Sequence, residues 1–189
     1  MSRAKHFRFL RRRGFTLVEV LVVISITAML AALAIVYGKT SQRQITLYIE
    51  TQKLAGLIFR AKSFALGTFS DVSNPNRCGY GVEIDYALKT YSLFAYEEPS
   101  PPNCSSILSV PQGFRVTVAT YNLNPGLVLK NVNLDSLSLL LFVPPSPKTL
   151  LSVDGGASLT GAPAKIYLET SDSRAQRTIT VNPSGQVDF

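Results

Sequence analysis

Histidine, tryptophan and cysteine are nearly missing from this chain. One His, no Trp and two Cys in 189 residues leave too few ligands for a histidine-based metal site and too few bridges for a disulfide scaffold. Charge is scarce as well: 16% of residues are Asp, Glu, Lys or Arg, against roughly 25% in an ordinary soluble domain. Gly and Pro, at 12 and 11 residues, fall short of a collagen-like or low-complexity chain. What is present in quantity is hydrophobic, 46% of residues, which argues against disorder. The length suits one domain with an appendage.

The net charge of +7 is unevenly placed. Arg3, Lys5, Arg8, Arg11, Arg12 and Arg13 put six positive charges and no acid into residues 1–14, leaving 13 basic and 12 acidic groups in the other 175 residues. A nucleic-acid binder spreads its basic footprint over a folded face. A basic tail ahead of an apolar run instead orients a membrane segment.

That run reads FTLVEVLVVISITAMLAALAIVY, from Phe15 to Tyr37, and Glu19 is its one ionisable group. As a helix it spans roughly 35 Å, enough for a hydrocarbon core of about 30 Å. With the basic tail held in the cytoplasm, the chain is a single span, N-in and C-out. A removable export signal ending at Ala32-Leu33-Ala34 and a plain uncleaved anchor are the competing readings. Glu19 counts against both, because a carboxylate costs about 2.5–3.5 kcal/mol at mid-membrane and less near an end. Neither export nor anchoring needs that acid. The helical pattern also continues beyond the span: Leu47, Leu54, Ile58, Ala61 and Ala65 form a stripe, with Tyr48, Ala55, Phe59 and Leu66 on the adjoining face. No Pro precedes residue 75, so the pattern predicts one helix of about 50 residues, lipid-embedded first and amphipathic after.

Arg12-Arg13-Gly14-Phe15-Thr16-Leu17-Val18-Glu19-Val20-Leu21 resembles the type IV prepilin processing motif, shared by pilins and the pseudopilins of type II secretion. The resemblance implies cleavage between Gly14 and Phe15 by a prepilin peptidase that also N-methylates Phe15. It further implies other pilin or pseudopilin subunits and an inner-membrane assembly platform as partners. Storage would be in the bacterial inner membrane, followed by a pilus or pseudopilus in the periplasm or at the cell surface. Cleavage would create an amino terminus four residues before Glu19. In lipid, that ammonium and the carboxylate each need an opposite charge, within one chain or between neighbours. Pairing between chains is a head-to-tail contact that does not close, which builds a helical filament. The expected divisions are a leader 1–14, a membrane and filament-core half 15–37, an amphipathic half 38–67 and an exported head 68–189.

The head reads as β structure. Thr68–Arg77 is a loop by composition; Gly79–Tyr86 and Thr90–Tyr96 alternate as a hairpin joined by Ala87-Leu88-Lys89. Further strands are expected at 114–121, 127–133, 136–143, 148–153, 164–170 and 177–181, with a short last one after Asn182-Pro183-Ser184-Gly185. The fold class is therefore α+β: a long N-terminal helix packed on an antiparallel sheet or small sandwich. GYGVEID, TYSLF and the terminal RTITVNPSGQVDF resemble the minor-pilin and H-type pseudopilin group (the GspH and FimT kind), which implies a low-abundance subunit at or near a filament tip.

Cys78 and Cys104 fall in the exported part, where oxidation is permitted. A bridge between them, against the alternative of two free thiols, would staple the hairpin to the Pro99-Ser100-Pro101-Pro102 loop. No catalytic set emerges: His6 lies in the leader, and Glu83/Asp85 and Glu97/Glu98 read as a solvated strand face. The chain is expected to be non-enzymatic, with no cofactor and no metal. Arg174 and Arg177, with Lys148 and Lys165, are the candidate DNA contacts that a tip minor pilin would use; a solvated surface is the simpler reading. A monomeric signal-anchored binding or adhesion protein is the alternative from another class.

Overall fold

The structure, a computed structural model, describes residues 15–68, 76–98, 104, 106–132, 135–144, 148–156 and 159–189, without the side chains of 36–40. The leader with Gly14, most of the Thr68–Arg77 loop and the Pro99–Pro102 loop lie outside the described residues. The chain divides into two compact units, Met1–Ser41 and Gln42–Phe189.

In the first unit, helix α1 (Leu17–Thr68) begins. Leu17–Ile35 has a mean hydropathy of 2.5, and none of it is buried among the described residues. Its few hydroxyls are satisfied internally, Ser25 donating to the Leu21 carbonyl and Thr27 to that of Val23, each at 2.9 Å. In hydrocarbon a polar group has no water to turn to, so such internal bonds are what the medium demands.

In the second unit, the rest of α1 buries Leu47, Leu54, Ile58, Ala61 and Ala65 in the main core. Tyr48, Phe59 and Leu66, expected on the adjoining face, are each 49% exposed. At about 100° per residue they lie a quarter-turn or more from the centre of the stripe, and over Tyr48 only the edge of a sheet arrives, as the Arg177 side chain of the strand Gln176–Val181. Ala55, slightly nearer, is buried.

Among the described residues, nine strands follow: β1 Arg77–Asp85, β2 Thr90–Glu97, β3 Arg115–Asn122, β4 Leu127–Lys130, β5 Leu139–Val143, β6 Lys148–Ser152, β7 Ala164–Thr170, β8 Gln176–Val181 and β9 Val187–Asp188. They form two sheets, β3-β2-β1-β5-β6 and β4-β7-β8-β9, and each named pairing is antiparallel. The β1–β2 turn is set by Asp85, whose Oδ1 accepts from the N–H groups of Ala87 and Leu88 at 2.9 and 2.8 Å, with Lys89 in the left-handed region (φ 55°). This side-chain-to-backbone turn is what aspartate does best at a strand end.

β5 explains why the head has two apolar layers. All five of its residues are buried, and they alternate. Leu140 and Phe142 enter the core beneath α1 and the second sheet. Leu139, Leu141 and Val143 enter a second cluster with Phe94, Tyr96, Ile107 and Val110. A strand covered on both faces reads as a continuous apolar run for this reason. Gly81 lets the second cluster close: a Cβ there would lie 2.2 Å from the Leu140 carbonyl oxygen and 2.5 Å from the Phe94 ring.

Candidate functional site

The residues singled out by sequence fall at two places, the start of α1 and the surface of the head. At the start of α1, Thr16 is the cap. Its carbonyl accepts from Val20 N–H at 3.2 Å, and its Oγ1 accepts from Glu19 N–H at 3.3 Å. Thr16-Leu17-Val18-Glu19 is thus the Thr-x-x-Glu spacing of a capping box, legible in the sequence but not used in reading it. Glu19 lies in the first turn, where a carboxylate also opposes the positive end of the helix dipole. This local role answers part of why an acid is tolerated there. It does not cancel the negative charge, which has no ion pair among the described residues. Phe15, 78% exposed, stands immediately before the cap. Phe15 and Glu19 are four positions apart, the spacing of neighbours on one helical face.

On the head, Cys78 and Cys104 are joined, with Cα atoms 5.1 Å apart. The pairing register of β1 with β2 shifts between Arg77 and Gly79, leaving Cys78 as the extra residue of a bulge. Bulges re-aim a side chain. This one puts Cys78 in the second cluster, where Cys104 packs, although Tyr80 and Val82 of the same strand face the main core. Glu98 Oε2 lies 3.9 Å from Cys78 Sγ, so these three groups have metal-like proximity. With both sulfurs in the bridge, no thiolate is on offer there.

Of the acids expected on a solvated strand face, Glu83 and Glu97 are instead counter-ions. Glu83 pairs with Arg115 at 2.7 Å, and that guanidinium is 5% exposed. Its remaining donors go to the carbonyls of Val110 and Gly155. Glu97 pairs with Arg77 at 2.7 Å, and this hydrogen bond holds the Arg77 guanidinium above its ordinary pKa. Strand periodicity locates such acids on a face but not their partners, which come from elsewhere in the chain. Two further carboxyls are held below their ordinary pKa values: Asp172, chiefly by the Thr170 hydroxyl and then by Arg43, and Glu169, by Lys130 at 2.8 Å and by Ser173.

Arg174 and Arg177 stand in different surroundings. Arg174 extends into solvent with its Nε 3.8 Å from Asp172. Arg177 lies over the Tyr48 ring, 5.3 Å from its centre.

Sequence reading also missed Glu50. It is buried at 3% exposure, yet its carboxylate accepts from the Tyr91 hydroxyl at 3.1 Å and from Lys53 Nζ at 3.1 Å. Burial, followed by the Glu50 charge, pushes the Tyr91 hydroxyl well above its ordinary pKa. The signal was an acid four positions before Leu54, at the margin of the apolar stripe.

Residues 10–35 match the family described as the prokaryotic N-terminal methylation motif. No curated protein matches the chain at a significant level. Among solved structures, the minor pseudopilin EpsH from the Type 2 Secretion System of Vibrio cholerae is similar at 13% identity and a TM-score of 0.43, over 75% of this chain and 93% of that one.

Proposed function

Starting from a chain that carries the prokaryotic N-terminal methylation motif, we propose that it is a structural subunit of the type IV pilin and pseudopilin class. A prepilin peptidase cuts after Gly14 and methylates Phe15. The product is stored across the inner membrane, N-in and C-out, and an assembly platform then draws it into a pilus or pseudopilus through α1. The observation that carries this reading is Glu19: an acid four residues past Phe15, on an apolar helix that is unburied among the described residues.

Charge and local role are separable contributions of that residue. At the third position after the Thr16 cap, as a partner of the helix dipole, Glu19 contributes about 0.3–1 kcal/mol to the first turn. As a charge in a low-dielectric medium, it must find a cation, and the new Phe15 ammonium of a neighbouring subunit supplies one. Each subunit then offers an acid to one neighbour and an amine to the next, a contact that propagates along an axis.

The test has two arms. Mass spectrometry of the chain purified from membranes should find it starting at Phe15 and carrying one added methyl group. An intact leader or a start at Ile35 would return the chain to the signal-anchored binding class. In the second arm, Glu19→Gln keeps the capping-box spacing and removes the charge. It should insert normally yet fail to enter filaments, as should Glu19→Ala. Assembly of the Gln variant at the wild-type level would reduce Glu19 to its capping role.

A further inference from the structure

β3 is the longest sheet edge left unpaired among the described residues, longer than residues 176–179 of β8, which run beyond the two-residue β9. It lies at the end of the five-stranded sheet, paired only with β2. The other ends are blunted. β6 is short and buried after Lys148, and its Leu151 is bridged to Thr160. β4 has four residues and β9 two. β3 has eight, with Val116 and Val118 each 48% exposed. Natural edges carry lysines, prolines or inward charges to repel stray strands. The single charge of β3, Arg115, is turned inward onto Glu83.

The far end of this edge opens onto a cavity of about 420 Å³ between β3 and α1. Tyr91 and Tyr121 form one wall, their rings stacked 5.7 Å apart. On the α1 side stands Gly56, where an added Cβ would meet no atom within 4 Å. Lys53 and Arg60 stand at the rim, and Glu50 is the buried floor, already satisfied by Tyr91 and Lys53. Arg60 has no carboxylate partner among the described residues; its Nη1 lies 3.5 Å from the Tyr121 hydroxyl. The lining therefore keeps one net positive charge at the mouth of an aromatic-walled space.

We propose that the β3 edge and this cavity form one peptide-binding site. An extended segment of another polypeptide adds to β3 as a sixth strand. Alternate residues of a strand share a face. An apolar side chain can therefore settle over Gly56 while an acid two positions on meets Arg60 and Lys53. The backbone pairing supplies affinity and the cavity supplies selectivity, the division of labour seen whenever a peptide adds to an open sheet. This site lies wholly within the second unit and does not depend on processing at Gly14.

The test uses the full chain in detergent and a fluorescein-labelled probe peptide, Thr-Val-Thr-Phe-Thr-Glu-Thr, followed by anisotropy. The probe should bind saturably. N-methylation of its alternate amides, or replacement of its Glu by Lys, should weaken binding about tenfold or more. Gly56→Phe fills the cavity without a clash at Cβ, so it should keep the melting temperature and lose binding by a similar factor. Lys53→Glu with Arg60→Glu should reverse the preference in favour of the Lys peptide. Absence of binding, equal binding of the N-methylated probe, or an unaffected Gly56→Phe variant would each overturn the proposal.

Discussion

Removing the Cys78–Cys104 bridge should loosen one layer of the head and leave the other intact. The bridge closes 26 positions, and a loop of that length gives about 3.5 kcal/mol on the chain-entropy account. The loop contains β2 and most of β1, which the sheet already holds. The extra constraint therefore falls on the segment that runs past Cys104 through Ile107 and Val110 to β3. At 2–4 °C per kcal/mol for a unit of this size, the melting temperature should fall by about 7–14 °C. The perturbation is Cys78→Ala with Cys104→Ala, which leaves no buried hydroxyl, compared with the wild-type chain under reductant. Near-ultraviolet circular dichroism in detergent reports the melt through buried Tyr96, which shares the second cluster with Cys78. Hydrogen exchange then locates the loss: residues 106–114 and the start of β1 should lose protection, while β7 and β8 keep theirs. A fall below about 3 °C, or equal loss of protection in both sheets, would refute the idea that the bridge staples the second layer.

Gly81→Val should destabilise by about 3 kcal/mol or more, because its Cβ meets a backbone carbonyl and the Phe94 ring, at the severe end of overpacking; denaturant titration reads the change. Lowering the pH should weaken the head. Asp172 and Glu169 have ordinary values of 3.8 and 4.5, and both are held lower in the fold. The stability they contribute is present above those values and is lost as pH falls through the folded ones. The melting temperature should therefore drop between about pH 5 and pH 3, and Lys130→Gln with Arg43→Gln should flatten that drop. Arg174→Ala with Arg177→Ala should leave retention of duplex DNA unchanged at any salt concentration, since Arg174 lies beside Asp172 and Arg177 over the Tyr48 ring; a lost salt-dependent retention would support the DNA reading.

Much of this molecule could be read without its structure because the relevant forces are local. Period-two alternation placed Gly79–Tyr86 and Thr90–Tyr96, and they appear as β1 and β2. The 3.6-residue repeat picked out the five buried positions of the α1 stripe. Hydropathy and the basic tail marked a membrane helix. Misreadings came where a residue's fate depends on distant chain. Tyr48, Phe59 and Leu66 are apolar at helical spacing but stay half exposed, with the Arg177 guanidinium over Tyr48. Glu83 and Glu97 alternate like surface residues, but Arg115 and Arg77 arrive to pair with them.

The sequence by itself determined the apolar helix, the place of Glu19 in its first turn, the strand segments and the fold class, since each depends on neighbours within a few positions. Tertiary structure alone decided the division into two sheets, the burial of β5 on both faces, the bulge that aims Cys78, and the open β3 edge beside its cavity. Those depend on which segments meet, and that is settled by core packing summed over the whole head rather than by any window of sequence.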